Sequence, residues 1–151
     1  DFHLGQIMIV SDDVFLIDFE GEPERSMDER RHKASPLRDV AGLIRSLDYA
    51  ALAAVDRMIQ TMPDGAGPIY DSASQWRREA VREFLHAYRL RVDAAELHSP
   101  DQEGFDGWLR FLLLEKVVYE VGYELANRPG WLHVPLIGMW ELLFPGEDLP
   151  R

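Results

Sequence analysis

Not one cysteine occurs among the 151 residues. Disulfide frameworks and thiolate metal sites are thereby excluded, and a cytoplasmic location is the expectation. No apolar run approaches the ~20 residues that a membrane-spanning helix needs, and no secretory leader pattern opens the chain. Basic charge is scarce as well: 16 Lys plus Arg face 27 Asp plus Glu, for a formal net charge of −11. Nucleic acid binding needs clustered cations, so neither a nucleic-acid nor a membrane partner is expected. What is present is one domain's length of chain, enough to bury about 68–70% of its unfolded surface.

The opening stretch organises the rest. Asp1 is followed by His3 and, after a short spacer, by the amide of Gln6. Two apolar runs, Ile7 to Val10 and Val14 to Ile17, flank a polar turn at Ser11-Asp12-Asp13, and Asp18 ends the second run. This pattern predicts a β-hairpin. Closing it makes Gln6 and Asp18 neighbours, with Asp1 close by. One carboxylate beside an amide-plus-carboxylate pair is the apparatus of metal-assisted phosphoryl transfer. The first Asp takes the acceptor's proton, and the pair holds magnesium against nucleotide phosphates.

Asp1-x4-Gln6 resembles the catalytic loop of protein-kinase-like phosphotransferases, with Gln where most carry Asn. Ile17-Asp18-Phe19-Glu20 resembles their metal-binding Asp-Phe-Gly segment, with Glu in place of Gly. The longer strings Asp-Phe-His-Leu-Gly-Gln and Ile-Asp-Phe-Glu-Gly-Glu-Pro are similar to those of maltokinases, which phosphorylate maltose with ATP and are sometimes fused to trehalose synthase. The glycine-rich loop and phosphate-contacting Lys of such enzymes belong to an N-terminal lobe, and this sequence contains neither. The resemblance therefore implies the C-lobe of a longer enzyme over residues 1–144; the tail beyond it, 145–151, is expected to be disordered. On its own such a piece is expected to be inactive, because its N-lobe partner is absent.

Glu24 to Lys33 is dense in charge and reads as a solvated loop in the position of an activation loop. Ser35-Pro36 is a helix start. Apolar residues from Leu37 to Ile59 then keep helical spacing as far as Met62-Pro63. Pro63 to Asp71 reads as a loop. Ser72 to Gln75 reads as a capping box, opening a second helix that runs to Ala94 with Trp76, Ala80, Phe84 and Tyr88 along one stripe. A polar loop, 95–103, precedes a third helix over 104–127. Pro129-Gly130 ends it. A short last helix, 134–144, packs through Leu136, Ile137, Trp140, Leu143 and Phe144. The expected fold is mainly α, a kinase-like C-lobe of about four helices with one small β-hairpin.

In the third helix, a turn of about 100° per residue puts Leu114, Val118, Val121 and Leu125 on one face. Lys116, Tyr119, Glu120, Tyr123 and Asn127 fall opposite. Spacing alone reads the second face as exposed and polar. Two tyrosines with Lys, Glu and Asn also suit a sugar, whose ring packs on aromatic faces. The string Glu-Lys-x-x-Tyr-Glu-x-Gly-Tyr-Glu-Leu-x-Asn-Arg-Pro resembles the end of maltokinases, where the Lys and both Tyr line the maltose pocket.

The resemblance thus implies Asp1 as general base and His3 as a contact to the transferred phosphoryl group. It implies Gln6 and Asp18 as Mg2+ ligands, and Lys116, Tyr119, Tyr123 and Tyr88 as sugar contacts. Glu20 is expected to support the metal site. Asp39 either braces the catalytic loop or complements the dipole of its own helix. The implied cofactors are ATP and Mg2+, and the implied partners are maltose or a similar small sugar, ATP, the N-lobe and trehalose synthase. A glucosamine kinase, with the same catalytic segments, is the alternative enzyme. An aminoglycoside phosphotransferase is disfavoured by the charge of Lys116, and a non-catalytic docking or pseudokinase lobe is the alternative from another class.

Overall fold

The computed structural model describes residues 2–19, 26–62, 66–94 and 102–146. A 3-10 turn, Leu4–Gln6, leads into an antiparallel hairpin of β1, Ile7–Val10, and β2, Asp13–Leu16. Among the described residues five helices follow: α1, Met27–Arg31; α2, Leu37–Thr61; α3, Ala66–Ala94; α4, Gln102–Asn127; and α5, His133–Leu143. A second 3-10 turn, Pro129–Trp131, separates the last two. The mainly helical fold with one small hairpin is as expected from the sequence.

The hairpin pairs Ile7 with Leu16 and Val10 with Asp13. Its turn is shorter than the expected Ser11-Asp12-Asp13. Only Ser11 and Asp12 are unpaired, with φ of 50° and 66°. Two successive left-handed residues match the right-handed twist of the strands, and Asp13 enters β2.

α2 is the central element, packed against α3, α4 and α5. Its start follows from Ser35 and Pro36. The Ser35 hydroxyl accepts from Leu37 N at 3.3 Å, its carbonyl accepts from Arg38 N at 3.0 Å, and Pro36 supplies a helical φ of −61°. Its end follows from Pro63. The residue before a proline is pushed out of the helical region, and Met62 adopts φ −138°, ψ 72°. Leu37, Val40, Ala41 and Ile44 of α2 meet Phe105, Leu109 and Leu112 of α4, while Val81, Phe84, Leu85 and Tyr88 of α3 close the cluster. Each fully buried Leu, Ile, Val or Phe contributes about 1.5–3 kcal/mol.

Four expectations need correction. α3 begins at Ala66, not at Ser72. Pro68 lies in its first turn, where a missing N–H leaves no bond unmade, so the sequence from Ser72 to Gln75 is helix interior. The charged stretch is not all loop, since Met27–Arg31 is one helical turn.

The buried face of α4 is not the one the apolar spacing indicates. Phe105, Leu109, Leu112, Val117, Glu120 and Glu124 are buried, while Val118 is 61% and Leu125 56% exposed. The reason is charge pairing: Glu120 and Glu124 find cations or hydroxyls inside, so the helix turns its carboxylates inward. α5 likewise packs through Val134, Pro135 and Gly138, leaving Leu136, Leu143 and Phe144 exposed. Residues 147–151 of the expected tail and 95–101 of the expected loop lie outside the described residues.

Candidate active site

The loop before the hairpin is held by its own side chains. Gln6 N donates to His3 O at 2.9 Å. His3 N donates to Gln6 Oε1 at 3.3 Å, and Gly5 N donates to His3 Nδ1 at 3.1 Å. With Nδ1 accepting, the neutral ring of His3 carries its proton on Nε2. His3 is exposed; Gln6 is buried.

The hairpin brings Gln6 and Asp18 together as its geometry requires. Ile17 N donates to Gln6 O at 3.0 Å, and Gln6 Nε2 donates to Asp18 O at 3.0 Å. Asp18 itself has φ 60°, a left-handed conformation that is uncommon for non-glycine residues and concentrated at functional sites. The two residues share a cavity of about 390 Å³, which Phe2, Phe19, Asp39, Phe84 and Tyr88 also line. Burial first, and then the nearby Asp39 carboxylate, push the Tyr88 phenol up from its ordinary value. Asp39 therefore sits at the wall of the same cavity, at the start of α2. Asp1 and Glu20 lie outside the described residues.

Gln6 and Asp18 are the magnesium ligands expected from the sequence, and in the structure the Gln6 amide meets the main-chain oxygen of Asp18, not its carboxylate. A carbonyl-type oxygen has two lone pairs, so Gln6 Oε1 retains acceptor capacity beyond its bond from His3 N. Among the described residues no cluster of three His, Cys, Asp or Glu could hold a metal. Magnesium of nucleotide sites does not need one, since phosphates and waters complete its shell.

Lys116, Tyr119 and Tyr123 form a ladder on α4. The two tyrosine rings stack with centroids 6.4 Å apart. Lys116 Nζ lies 5.1 Å from the Tyr119 ring, and the Arg128 guanidinium lies 5.3 Å from the Tyr123 ring. Tyr119 and Tyr123 are more than one third exposed. None of the three lines the cavity beside Asp18, whereas Tyr88 does.

Sequence reasoning missed the charged centre beside this ladder. Arg45, 1% exposed on α2, donates from Nη1 to Asp48 Oδ2 at 2.5 Å and from Nε to Glu120 Oε2 at 2.9 Å. Its Nη2 makes a further ion-pair contact of 2.8 Å with Glu120, off the hydrogen-bond direction. Gly138 of α5 makes room for that guanidinium, since a Cβ there would lie 2.0 Å from Arg45 Nη1. Asp48 also pairs with Arg77 of α3. Glu124 accepts from Tyr49 OH at 2.9 Å and from Arg128 at 3.0 and 2.6 Å. Burial raises the Glu120 carboxyl, with Arg45 opposing. The one sequence signal was a charge inside an apolar helical window, Leu43-Ile44-Arg45-Ser46-Leu47.

No family model matches the chain. Over 146 residues it is 32% identical to a glucosamine kinase of Streptacidiphilus jiangxiensis, covering 95% of this chain and 30% of that protein. Over 151 residues it is 26% identical to a glucosamine kinase of Mycolicibacterium smegmatis, covering 98% of this chain and 34% of that protein. Among solved structures, crystal form B of glucosamine kinase superposes with a TM-score of 0.76 at 32% identity, over 95% of this chain and 33% of that one. A glucosamine kinase in complex with glucosamine, ADP and inorganic phosphate superposes with a TM-score of 0.75 at 30% identity, over 95% of this chain and 34% of that one. The fold is a kinase-like C-lobe.

The chain spans about a third of the length of the relatives it matches. The relatives are sugar kinases, as the resemblance implied, and they favour the glucosamine alternative over maltokinase. Among the described residues no helix is long and apolar enough to cross a membrane.

Proposed function

We propose that this chain is the C-lobe portion of an ATP-dependent sugar kinase whose acceptor is glucosamine. The observation that carries the proposal is the hairpin base, where Gln6 and Asp18 are hydrogen-bonded neighbours and Asp18 is left-handed. Similarity to glucosamine kinases over 95% of the chain supports the choice of acceptor. Lys116, which weighed against an aminoglycoside phosphotransferase in the sequence, lies over the Tyr119 ring and does not line the cavity beside Asp18. Maltose and trehalose synthase draw no support from the relatives and are not carried into the proposal.

In this reading Asp1 accepts the proton of the attacking hydroxyl, and His3 approaches the transferred phosphoryl group with Nε2–H. Gln6 and Asp18 would hold magnesium, which when bound would neutralise charge on the nucleotide phosphates. Tyr88, Lys116, Tyr119 and Tyr123 are candidate sugar contacts. ATP binding requires, in addition, a lobe that supplies a glycine-rich loop and a phosphate-binding Lys.

The test is a kinase assay on the full-length protein that contains these residues, offered glucosamine and maltose in parallel with ATP and magnesium. Phosphorylation of glucosamine is expected. Asp1→Asn should then depress kcat by about 10²–10⁴-fold if proton removal is its role, and Tyr123→Ala should weaken sugar use more than ATP use if the α4 ladder holds the sugar. Preference for maltose would restore the maltokinase reading. Activity on neither sugar would favour a docking or pseudokinase lobe.

A further inference from the structure

One turn of α2 meets the loop between Asp1 and the hairpin. Leu4 N donates to Ser46 Oγ at 2.9 Å, across 42 residues of sequence. One helical turn earlier, at Gly42, a Cβ would lie 2.6 Å from the main-chain oxygen of Phe2. That distance is shorter than real Cβ contacts allow, and the obstacle is backbone, which cannot swing aside as a flexible side chain does. Residues four apart on a helix occupy one face, so Gly42 and Ser46 form a two-point seat. Gly42 sets how closely the loop approaches α2, and Ser46 sets how far it slides along the helix. The two contacts bracket His3.

The same turn of α2 carries Arg45, which is fixed by Asp48 and Glu120. The seat is therefore built on a helical turn that buried charge pairs anchor in the core. Downstream, the loop is tied through Gln6 to Asp18. A loop fastened at both ends is preorganised, and catalytic constellations need such support because about 1 Å of misplacement can cost 10²-fold in rate.

We propose that Ser46, seated by Gly42, is a positioning residue for the phosphoryl-transfer loop. Its hydroxyl fixes the register of Phe2 to Gln6 on α2, and with it the attack geometry of the residues that the loop presents. The role rests on the sugar-kinase reading above.

Ser46→Ala and Ser46→Thr in the full-length protein test it, read by steady-state kinetics and by backbone amide exchange at Leu4. Loss of the hydroxyl should lower kcat by about 10–10²-fold, leave KM for ATP and for sugar within about twofold, and speed exchange at Leu4 about tenfold. Ser46→Thr, which keeps a hydroxyl, should retain most of the activity. Gly42→Ala should lower kcat in the same way. Unchanged kcat in Ser46→Ala, or unchanged exchange at Leu4, would overturn the role of Ser46 alone. A wild-type protein that phosphorylates no sugar would sink the functional reading and the positioning role together.

Discussion

The side-chain amide of Gln6 spans the base of the hairpin, donating from Nε2 to the main-chain oxygen of Asp18 and accepting at Oε1 from His3 N. One buried amide thus ties the loop before β1 to the turn after β2. An apolar replacement of similar size, Gln6→Leu, leaves both partners without this bond. A typical hydrogen bond contributes about 0.5–1.5 kcal/mol net. Urea denaturation of the 151-residue chain should show that loss, and a midpoint unchanged within error would mean that the amide does not tie the hairpin base.

Two glycines in the helices should respond in opposite directions to the same change. Gly122 is exposed on α4, and a Cβ there meets nothing within 4 Å. Gly122→Ala should stabilise by about 0.5–1 kcal/mol, through the helix preference of alanine. At Gly138 the added Cβ lands on the Arg45 guanidinium, which is held by Asp48 and Glu120. Gly138→Ala should destabilise by about 1–3 kcal/mol, as overpacking does, and by more if the buried pairs break. Thermal melts of both variants settle the matter. A neutral Gly138→Ala would show that the charged centre is softer than its geometry indicates.

The hairpin and its two chemically interesting ends were legible in sequence because the information is local. Alternating polar and apolar runs, a turn, and residues a few positions away fix Gln6 beside Asp18. The course of α2 was equally legible, since Ser35-Pro36 and Pro63 mark its limits and apolar periodicity fills the interval. The orientation of α4 was not. Glu120 read as solvent-facing, and Glu124 gave no sign of burial, because their partners lie far away in sequence: 75 residues separate Arg45 from Glu120 and Tyr49 from Glu124. A carboxylate is buried only where a cation or donor meets it, and spacing within one helix cannot reveal that meeting. The early start of α3 was hidden for a different reason. Pro68 and Gly67 read as loop, yet at a helix N-terminus the proline is tolerated.

Tyr49 offers a pH test of the buried charge pairs. Its hydroxyl donates to Glu124 Oε1 at 2.9 Å. Its ring stacks on Trp131 at 6.2 Å and faces the Arg45 guanidinium at 5.9 Å. Burial, then the Glu120 charge and the bond to Glu124, raise the phenol well above its ordinary value of 10.0. Because the folded state keeps this proton longer than the unfolded state does, the contribution to stability is whole below pH 10.0 and is lost as pH rises beyond it. The slope is at most about 1.4 kcal/mol per pH unit. Tyr49→Phe removes both the hydrogen bond and the titration. At neutral pH the variant should be less stable by about 1 kcal/mol, with Glu124 still held by Arg128. Between about pH 9 and about pH 11 the wild type should lose stability faster, so the two curves converge. Denaturation midpoints across that range measure the convergence. Parallel curves would mean that the Tyr49 phenol titrates alike in both states and that its bond to Glu124 does not withhold the proton.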